Sequence, residues 1–437
     1  MRKLQDRLKE IDADKDEHAA PEPAGAEGPS TREKLEKLVR LNLQKKGMPM
    51  TGREPLPRGE YKPAPLAAAG EPFLIKDFYY SSDSRYGKVR LGDWLNLQPD
   101  ALAVISGSET FRGVDSRKVL FFDTETTGLA GGTGTIPFML GFGFFSEAVF
   151  QVKIFLLQDL DKEGEFLEAV DAFLRDGNFS ATVTFNGKAF DFPLLETRYI
   201  LQRRRLPLLD LPHLDFLFPA RTLWKNTFDS RKLGYLGEML LGLSRSDDIE
   251  ASTIPALYFS FLRRNDFSLI EPIIEHNAMD LVGLAAVVLL GARYLDDYSL
   301  TGDEGEILGL GLLCERAGLL EKAEAFYRAA KDASGRDAVN EQAVRRLSVL
   351  LKKKKLYAEA MQLWQILSGA NDLQAFREIS VHYEHRERNY HQAIEIVEKA
   401  LGSVSLSPSQ QHDLEKRLQR LQQKTARLEK SEAIDKF

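Results

Sequence analysis

The alternation of apolar and polar positions between residues 72 and 300 is typical of an α/β domain. Short runs rich in β-branched and aromatic residues, each bounded by turn residues, predict strands. Longer stretches of helical period lie between and after them. The four clearest strand segments are KVLFF, IPFMLGFGFF, EAVFQVKIFLL and ATVTF. The pattern predicts one mixed sheet with helices on its faces over residues 72–300.

The connections between these runs predict how the strands pair. The first three follow one another closely, which favours antiparallel hairpins. ATVTF comes after the helical stretch KEGEFLEAVDAFLRDG, so we expect it to lie parallel to KVLFF. The apolar run LVGLAAVVLLGA from Leu281 is too short to span a bilayer and predicts a buried helix.

Strand signals end near residue 303, and residues 303–437 have helical period throughout. Three segments align on Ala323, Ala360 and Ala393, with a large residue four positions after each alanine. This spacing resembles the tetratricopeptide repeat, a helix pair of about 34 residues. We therefore predict an all-α, tetratricopeptide-like repeat domain that ends in a charged helix.

Residues 1–71 differ in composition from the rest of the chain. AAPEPAGAEGPS and REPLPRGEYKPAPLAAAGEP are rich in Pro, Ala and Gly and poor in large apolar residues, which is typical of disordered segments. STREKLEKLVRLNLQKK between them has helical period and a capping-box start. We predict a largely disordered tether with one short helix.

Composition narrows the class of protein. The single cysteine, Cys314, excludes an intrachain disulfide framework and favours a reducing, cytoplasmic setting. The N-terminus lacks the apolar region of a secretory signal, and no segment predicts a membrane partner. The net charge of −6 argues against a protein that coats nucleic acid through bulk charge, but it leaves a local basic groove open.

Acidic residues stand where they could share a divalent cation. Asp123 and Glu125 end KVLFF two positions apart, so both project from the same face of the strand. Asp191 follows ATVTF at a predicted helix start, and His276 and Asp280 lie four apart on one helical face. Carboxylates held close together repel, and a divalent cation relieves that repulsion. The four acids are therefore predicted as oxygen ligands of Mg²⁺ or Mn²⁺.

The glycine-rich loop after these acids could also suggest a dinucleotide site. Such a site needs G-x-G-x-x-G at the start of a helix, whereas GLAGGTGTIPFMLGF leads into another apolar run. We therefore expect the glycines to serve a tight hairpin or a close approach to a phosphate-bearing substrate.

Three motifs carry a family resemblance: D-T-E-T-T-G, N-x3-F-D and H-x3-D, in this order. They resemble the motifs of the DEDD 3′–5′ exonucleases, which have a ribonuclease-H-like fold. Within that superfamily, residues 75–295 resemble the YprB-like branch, in which tetratricopeptide-like tails also occur. The segments that carry this resemblance are GLAGGTGTIPFMLG, FNGKAFDFPLLETR, HLDFLFPARTLW, LGLSRSDDIEASTIPALYFSFL and HNAMDLVGL.

The resemblance implies two-metal hydrolysis of phosphodiester bonds in DNA or RNA. In that mechanism Asp123 bridges two Mg²⁺ or Mn²⁺ ions, Glu125, Asp191 and Asp280 complete their shells, and His276 is the general base. One departure bears on the base. The family places its histidine five residues before the last aspartate, and the spacing of four found here belongs to tyrosine. One residue is about 100° of helix, so His276 points differently from the family's base.

Substrate contacts are predicted at two loops. The resemblance implies that the backbone of Thr126, Thr127 and Gly128 holds the terminal nucleotide. Asn186 and Lys188 are expected near the site, Asn186 as a turn former.

A further pair, His213 and Asp215, has strand spacing and is either accessory to the site or a satisfied structural pair. Basic residues after the second motif predict either phosphate contacts or a solvated helix face. They are Arg198, Arg203, Arg204, Arg205, Arg221, Lys225, Arg231 and Lys232.

Three functional hypotheses fit the sequence. The first is a 3′–5′ exonuclease whose repeats recruit a protein partner. The second is a structure-selective endonuclease with the same carboxylate chemistry. The third is a nucleic-acid-binding scaffold with weak catalysis.

Overall fold

The computed structural model of the chain describes residues 60–61, 71–98, 100–128, 134–243, 249–333 and 337–434. Most of the predicted tether, including its short helix, lies outside these ranges. Two residues inside it, Glu60–Tyr61, form a short strand.

Seven of the described strands form one sheet, in the order β1-β2-β7-β6-β5-β8-β9, and β3 and β4 pair with each other. The strands are β1 (Glu60–Tyr61), β2 (Phe73–Ser81), β3 (Arg85–Tyr86), β4 (Val89–Arg90), β5 (Val119–Thr126), β6 (Pro137–Ser146), β7 (Val149–Leu157), β8 (Ala181–Thr184) and β9 (His213–Asp215).

The predicted strand pairing is confirmed. β5 and β6 are antiparallel, with Asp123 opposite Gly141, and β6 and β7 form the next hairpin. β8 lies parallel to β5, with Ala181 opposite Val119. The sheet is therefore mixed, as the spacing of the runs predicts, and β5 lies near its centre.

The strand β2 is missing from the sequence prediction, although all nine of its residues pair with β7. Its inward positions include Lys76, which is only 3% exposed and interrupts the apolar alternation. The ammonium lies 3.4 Å from Glu271 Oε1 and 5.3 Å from the centre of the Phe78 ring. Glu271 and Phe78 thus stabilise the buried ammonium of Lys76. From the sequence pattern alone, a lysine is expected on the solvent side of a strand.

Helices flank the sheet and then continue alone. Those of the α/β part are α1 (Ala101–Ser106), α2 (Glu163–Asp176), α3 (Asp191–Leu201), α4 (Leu217–Leu223), α5 (Leu233–Leu241), α6 (Ile254–Arg264) and α7 (Glu271–Asp296). Those that follow are α8 (Glu304–Arg316), α9 (Leu320–Asp332), α10 (Asp337–Lys353), α11 (Tyr357–Gly369), α12 (Leu373–His382), α13 (Tyr390–Ser403) and α14 (Pro408–Ile434).

The helix α7 is the predicted buried helix and packs across β5, β6 and β7. By length and composition alone, Phe267–Asp296 is the one stretch in the described part of the chain that could cross a membrane. However, 83% of its most apolar window is buried inside the structure. Its apolar surface is therefore used for packing against the sheet.

The C-terminal helices pack each against the next, from α8 through α14. The three aligned alanines, Ala323, Ala360 and Ala393, are fully buried, as close approach of neighbouring helices requires. One core of buried residues continues from the sheet into these helices as far as Ile379. The boundary predicted at residues 300–303 thus separates two types of structure that share a core.

The last helix, α14, packs through Leu414 and Leu421 against the preceding helices and also contacts a buried carboxylate. The Glu384 side chain is inaccessible to solvent, and three cations of α14 contact it. Arg417 Nη2 and Lys424 Nζ each lie 2.7 Å from it, and Arg420 Nη2 lies at 2.9 Å. We call these four residues the Glu384 cluster.

Replacing Glu384 with Gln is expected to lower the free energy of unfolding by about 1.5–3 kcal/mol, because hydrogen bonds to a charged group are lost. Arg420 and Lys424 can still reach water, which limits the loss. Thermal denaturation would measure it, with the exposed Glu398→Gln as control. Equal melting temperatures for the two variants would contradict a stabilising role.

The Glu384 cluster also has a predictable pH dependence. Burial alone would raise the pKa of Glu384, but Lys424, Arg417 and Arg420 outweigh it and lower the pKa. The stabilisation is therefore complete above about pH 4.3, the ordinary value for glutamate. It is lost as the pH falls through the lower folded value.

Candidate active site

The first motif lies at the end of β5, where the strand emerges from the core. The first four residues of β5 are buried and the last four are partly exposed. Asp123 and Glu125 belong to the exposed half and share one face of the strand. An apolar strand thus carries two carboxylates to the edge of the core.

The second motif places Asp191 at the first position of α3, only 9% exposed. The hydroxyl of Thr124, between the two acids of the first motif, donates to Asp191 Oδ1 at 2.5 Å. Burial, reinforced by the charge of Asp215, raises the pKa of Asp191 to about 6 despite this hydrogen bond. Thr124 therefore ties the second motif to the first.

The third motif lies in the first half of α7. His276 Nε2 is 3.3 Å from Asp280 Oδ2, and both side chains are largely buried. The prediction that these residues share a helical face is confirmed. Between them, Asn277 Nδ2 donates to Asp123 Oδ2 at 2.7 Å, which connects α7 directly to β5.

The four predicted acids act on one another. The pKa of Asp123 is raised well above its ordinary value, first by burial and then by the charges of Asp191, Asp280 and Glu125. Within the described residues, however, no three His, Cys, Asp or Glu side chains already form a cation cage. The charges of the four carboxylates therefore influence one another, but their oxygens do not form a ready-made cation site among the described residues.

This donor set suits a hard divalent cation. Carboxylate oxygens are the ligands that Mg²⁺ and Mn²⁺ prefer. A positive ion would also offset the mutual repulsion that raises the pKa of Asp123. The residues present thus fit the metal class predicted from the sequence.

Asn277 is a site residue that the sequence prediction missed. It is fully buried, and its Oδ1 has no hydrogen-bond partner among the described residues. A Cβ atom at Gly141 would lie 1.9 Å from that oxygen, so only glycine fits beside it. In the sequence, the only indication of Asn277 is an amide side chain within the apolar face of a helix. Its contact with Gly141 of β6 cannot be predicted from the sequence, because it depends on how α7 packs against the sheet.

The loop of the second motif is shaped by Asp215. Its carboxylate accepts backbone N–H groups from Asn186 at 2.7 Å, Lys188 at 3.1 Å and Leu217 at 3.1 Å. Asn186 has a φ of +71°, as expected of the predicted turn former. A Cβ at Gly187 would lie 2.5 Å from Thr184 Oγ1. The carboxylate of Asp215 therefore has its hydrogen-bond partners in the backbone, and these bonds hold the loop between β8 and α3 in place.

His213 is also held by neighbouring groups. Its Nε2 lies 2.8 Å from Thr184 Oγ1, and its ring stacks on Phe192 at 4.0 Å. Burial, followed by the charge of Lys188, lowers the pKa of His213 to about 4, so the ring is neutral near pH 7. For His213 and Asp215, these contacts favour the structural interpretation over the accessory one.

Comparison with known proteins places this geometry in a family. Residues 120–290 match the model of the RNase_H superfamily. The uncharacterized protein YprB of Bacillus subtilis (strain 168) is 31% identical over 327 residues, which are 73% of this chain and 78% of that protein. The chain belongs to the YprB family. For a YprB-family protein, the RNase_H match indicates nuclease-type activity, nucleic acid as substrate and a divalent metal of unspecified identity.

The first-motif loop of this YprB-family chain departs from one expectation. The Thr127 N–H donates to Ile136 O at 3.0 Å, so it closes the hairpin and cannot donate to a nucleotide in this conformation. The Thr126 hydroxyl donates to Gly128 O at 2.8 Å. Thr126 and Gly128 remain candidates for substrate contact, and residues 129–133 lie outside the described residues.

Three of the eight basic residues that follow the second motif form ion pairs with acidic side chains. Arg198 is buried against Glu163 at 2.5 Å. Arg204 pairs with Glu168 at 3.3 Å, and Arg205 pairs with Asp210 at 2.5 Å. Across the described residues, the other five form no ion pair: Arg203, Arg221, Lys225, Arg231 and Lys232. Of these, Arg231 donates to the carbonyl oxygens of Phe228 and Asp229.

Proposed function

We propose that this protein is a metal-dependent nuclease that acts on DNA or RNA as a 3′–5′ exonuclease. The observation that carries the proposal is the convergence of acids from β5, α3 and α7: Thr124 of β5 donates to Asp191, and Asn277 of α7 donates to Asp123. The charges of Asp191, Asp280 and Glu125 also raise the pKa of Asp123. The RNase_H superfamily match over residues 120–290 supports the general class.

The carboxylates of Asp123, Glu125, Asp191 and Asp280 would hold the metal. A bound divalent cation would supply Lewis-acid activation of water and stabilisation of the leaving oxygen. Thr124 fixes the Asp191 carboxylate through Oδ1, and Asn277 fixes that of Asp123 through Oδ2. Such outer contacts orient ligands and tune their affinity.

His276 is the proposed general base. Asp280 lies 3.3 Å from its Nε2 and orients the ring. The imidazole is proposed to accept a proton from the attacking water. A neutral imidazole has the proton affinity needed near pH 7.

The helices after residue 303 are proposed to be tetratricopeptide-like and to recruit a protein partner. The burial of Ala323, Ala360 and Ala393 at corresponding helix positions supports the repeat assignment. The partner would bind without taking part in hydrolysis.

A digestion panel tests the proposed function. Single-stranded, double-stranded and branched DNA and RNA, labelled at one end, would be incubated with Mg²⁺ or Mn²⁺. We expect ladders of products shortened from the 3′ end, and no products when a chelator removes the metal. Discrete internal cuts would support the endonuclease hypothesis, which shares these carboxylates. Absence of cleavage on every substrate would favour the hypothesis of a nucleic-acid-binding scaffold.

A further inference from the structure

A cleft of about 340 Å³ lies next to the second motif, outside the group of four acids. This volume is within the range of small-ligand sites in proteins. Its walls come from the segment after α1, from the loop between β8 and α3, from β9 and from the start of α4. The lining residues used below are Ser106, Ser108, Thr110, Lys188, His213 and Phe218.

The cleft lies beside the second motif, which also carries Asp191. Phe192, the neighbour of Asp191, stacks on the His213 ring at 4.0 Å. Lys188 lines the cleft three positions before Asp191. The second motif thus contributes Asp191 to the group of acids and Lys188 to the cleft.

The charge of the cleft favours an anion. Among the residues that the structure describes, the ammonium of Lys188 has no ion-pair partner. Asp215 is the acid in the lining, but it is 3% exposed and its oxygens accept backbone amides. His213 presents a neutral ring. The accessible charge in the cleft is thus positive.

An exposed aromatic side chain borders the same cleft. Phe218 in α4 is 52% exposed and lines the cleft, so its ring offers an accessible apolar face to a ligand there. Hydroxyl groups of Ser106, Ser108 and Thr110 stand on the other side. An aromatic ring beside a cation is the usual combination for unpaired nucleic acid, in which bases stack and phosphates are neutralised.

We propose that this cleft is a second nucleotide site, which binds one unpaired nucleotide with its base on Phe218 and its phosphate on Lys188. The inference rests on the proposed nuclease function and extends it, because it places a part of the strand away from the hydrolysed bond. The ligand is a nucleotide of single-stranded DNA or RNA. A paired base has no free face to offer Phe218.

Binding measured without metal tests the site independently of hydrolysis. Fluorescence anisotropy with a labelled unpaired oligonucleotide, of DNA in one arm and RNA in the other, would be recorded in the presence of a chelator. We expect Phe218→Ala and Phe218→Leu to weaken binding about tenfold, the loss of one stacked base. Phe218→Tyr keeps the ring and should keep the affinity. Ile366→Ala, which removes a 58% exposed side chain from α11, is the control.

The contribution of Lys188 is tested separately, through the salt dependence of the binding affinity. Lys188→Gln should reduce the slope of log affinity against log salt by about 0.7, as expected for one phosphate contact on a single strand. Phe218 variants should leave that slope unchanged. The difference between DNA and RNA arms shows which strand the site prefers.

The outcomes separate the cleft from the catalytic proposal. If Phe218→Leu binds as tightly as the wild type, or if blunt duplex competes as well as the unpaired strand, the cleft proposal is overturned. A wild type that binds through Phe218 but hydrolyses no substrate with metal supports the cleft and removes the nuclease function. If Asp123→Asn abolishes hydrolysis while Phe218→Leu leaves binding unchanged, the nuclease function is supported and the cleft proposal is removed.

Discussion

The variant Asp123→Asn is expected to lose at least about a hundredfold in hydrolysis while gaining thermal stability. The asparagine side chain has the same shape as aspartate but carries no charge. Loss of one electrostatic contact at a reacting centre typically lowers the rate by about 10²–10³-fold. The gain in stability follows because Asp123 lies among the like charges of Asp191, Asp280 and Glu125. Removing a like charge from that group relieves repulsion in the folded state.

Two measurements check this prediction. Initial rates on the preferred substrate of the digestion panel give the loss of activity, and melting temperatures without metal give the gain in stability. Adding Mn²⁺ should raise the melting temperature of the wild type, since a ligand that binds only the folded state stabilises it. The variant should respond much less. A variant as active as the wild type would remove the catalytic role of these acids.

The variant Gly141→Ala is expected to lower both stability and activity, although it adds only one methyl group. That Cβ would lie 1.9 Å from Asn277 Oδ1 and 2.8 Å from Leu281 Cδ1. Overpacking of this kind costs about 1–3 kcal/mol. Asn277 must then move from Asp123, and loss of such an outer contact typically costs about 10–100-fold in metal affinity or activity.

The same strand offers a matched control. Gly143 lies two positions further along β6, and a Cβ there would meet Phe150 Cζ at 2.8 Å, away from Asn277. Gly143→Ala should therefore lower the free energy of unfolding without a comparable loss of activity. The double variant Gly141→Ala, Asn277→Ala removes the collision with Asn277 but keeps the contact with Leu281 Cδ1. Stability should therefore recover in part while activity stays low. Equal activity losses at Gly141 and Gly143 would show that only packing is involved.

Local patterns predict the part of the fold that positions the acids. KVLFF, IPFMLGFGFF and the apolar run of α7 are segments whose own periodicity matches their tertiary environment. β2 was hidden because Lys76 occupies an inward position, and its partners Glu271 and Phe78 are visible only once the chain has folded.

The site follows the same division. Asp123, Glu125, Asp191 and Asp280 stand out in the sequence because they lie beside apolar runs and within the three family motifs, and their role as metal ligands stays a prediction. The contact of Asn277 with Asp123 joins residues 154 positions apart, and no local pattern reports it. The binding of Asn186 and Lys188 amides by Asp215 likewise depends on β9 lying beside β8.

The ion pairs of Arg198, Arg204 and Arg205 have a kinetic consequence for a nuclease. These side chains are committed to Glu163, Glu168 and Asp210, so they contribute little to holding a polyanion. Each phosphate contact that is missing weakens the affinity for a strand and speeds its dissociation at physiological salt. For the proposed nuclease, we therefore expect hydrolysis to be more distributive than it would be with these three arginines free, unless a recruited partner prolongs each encounter.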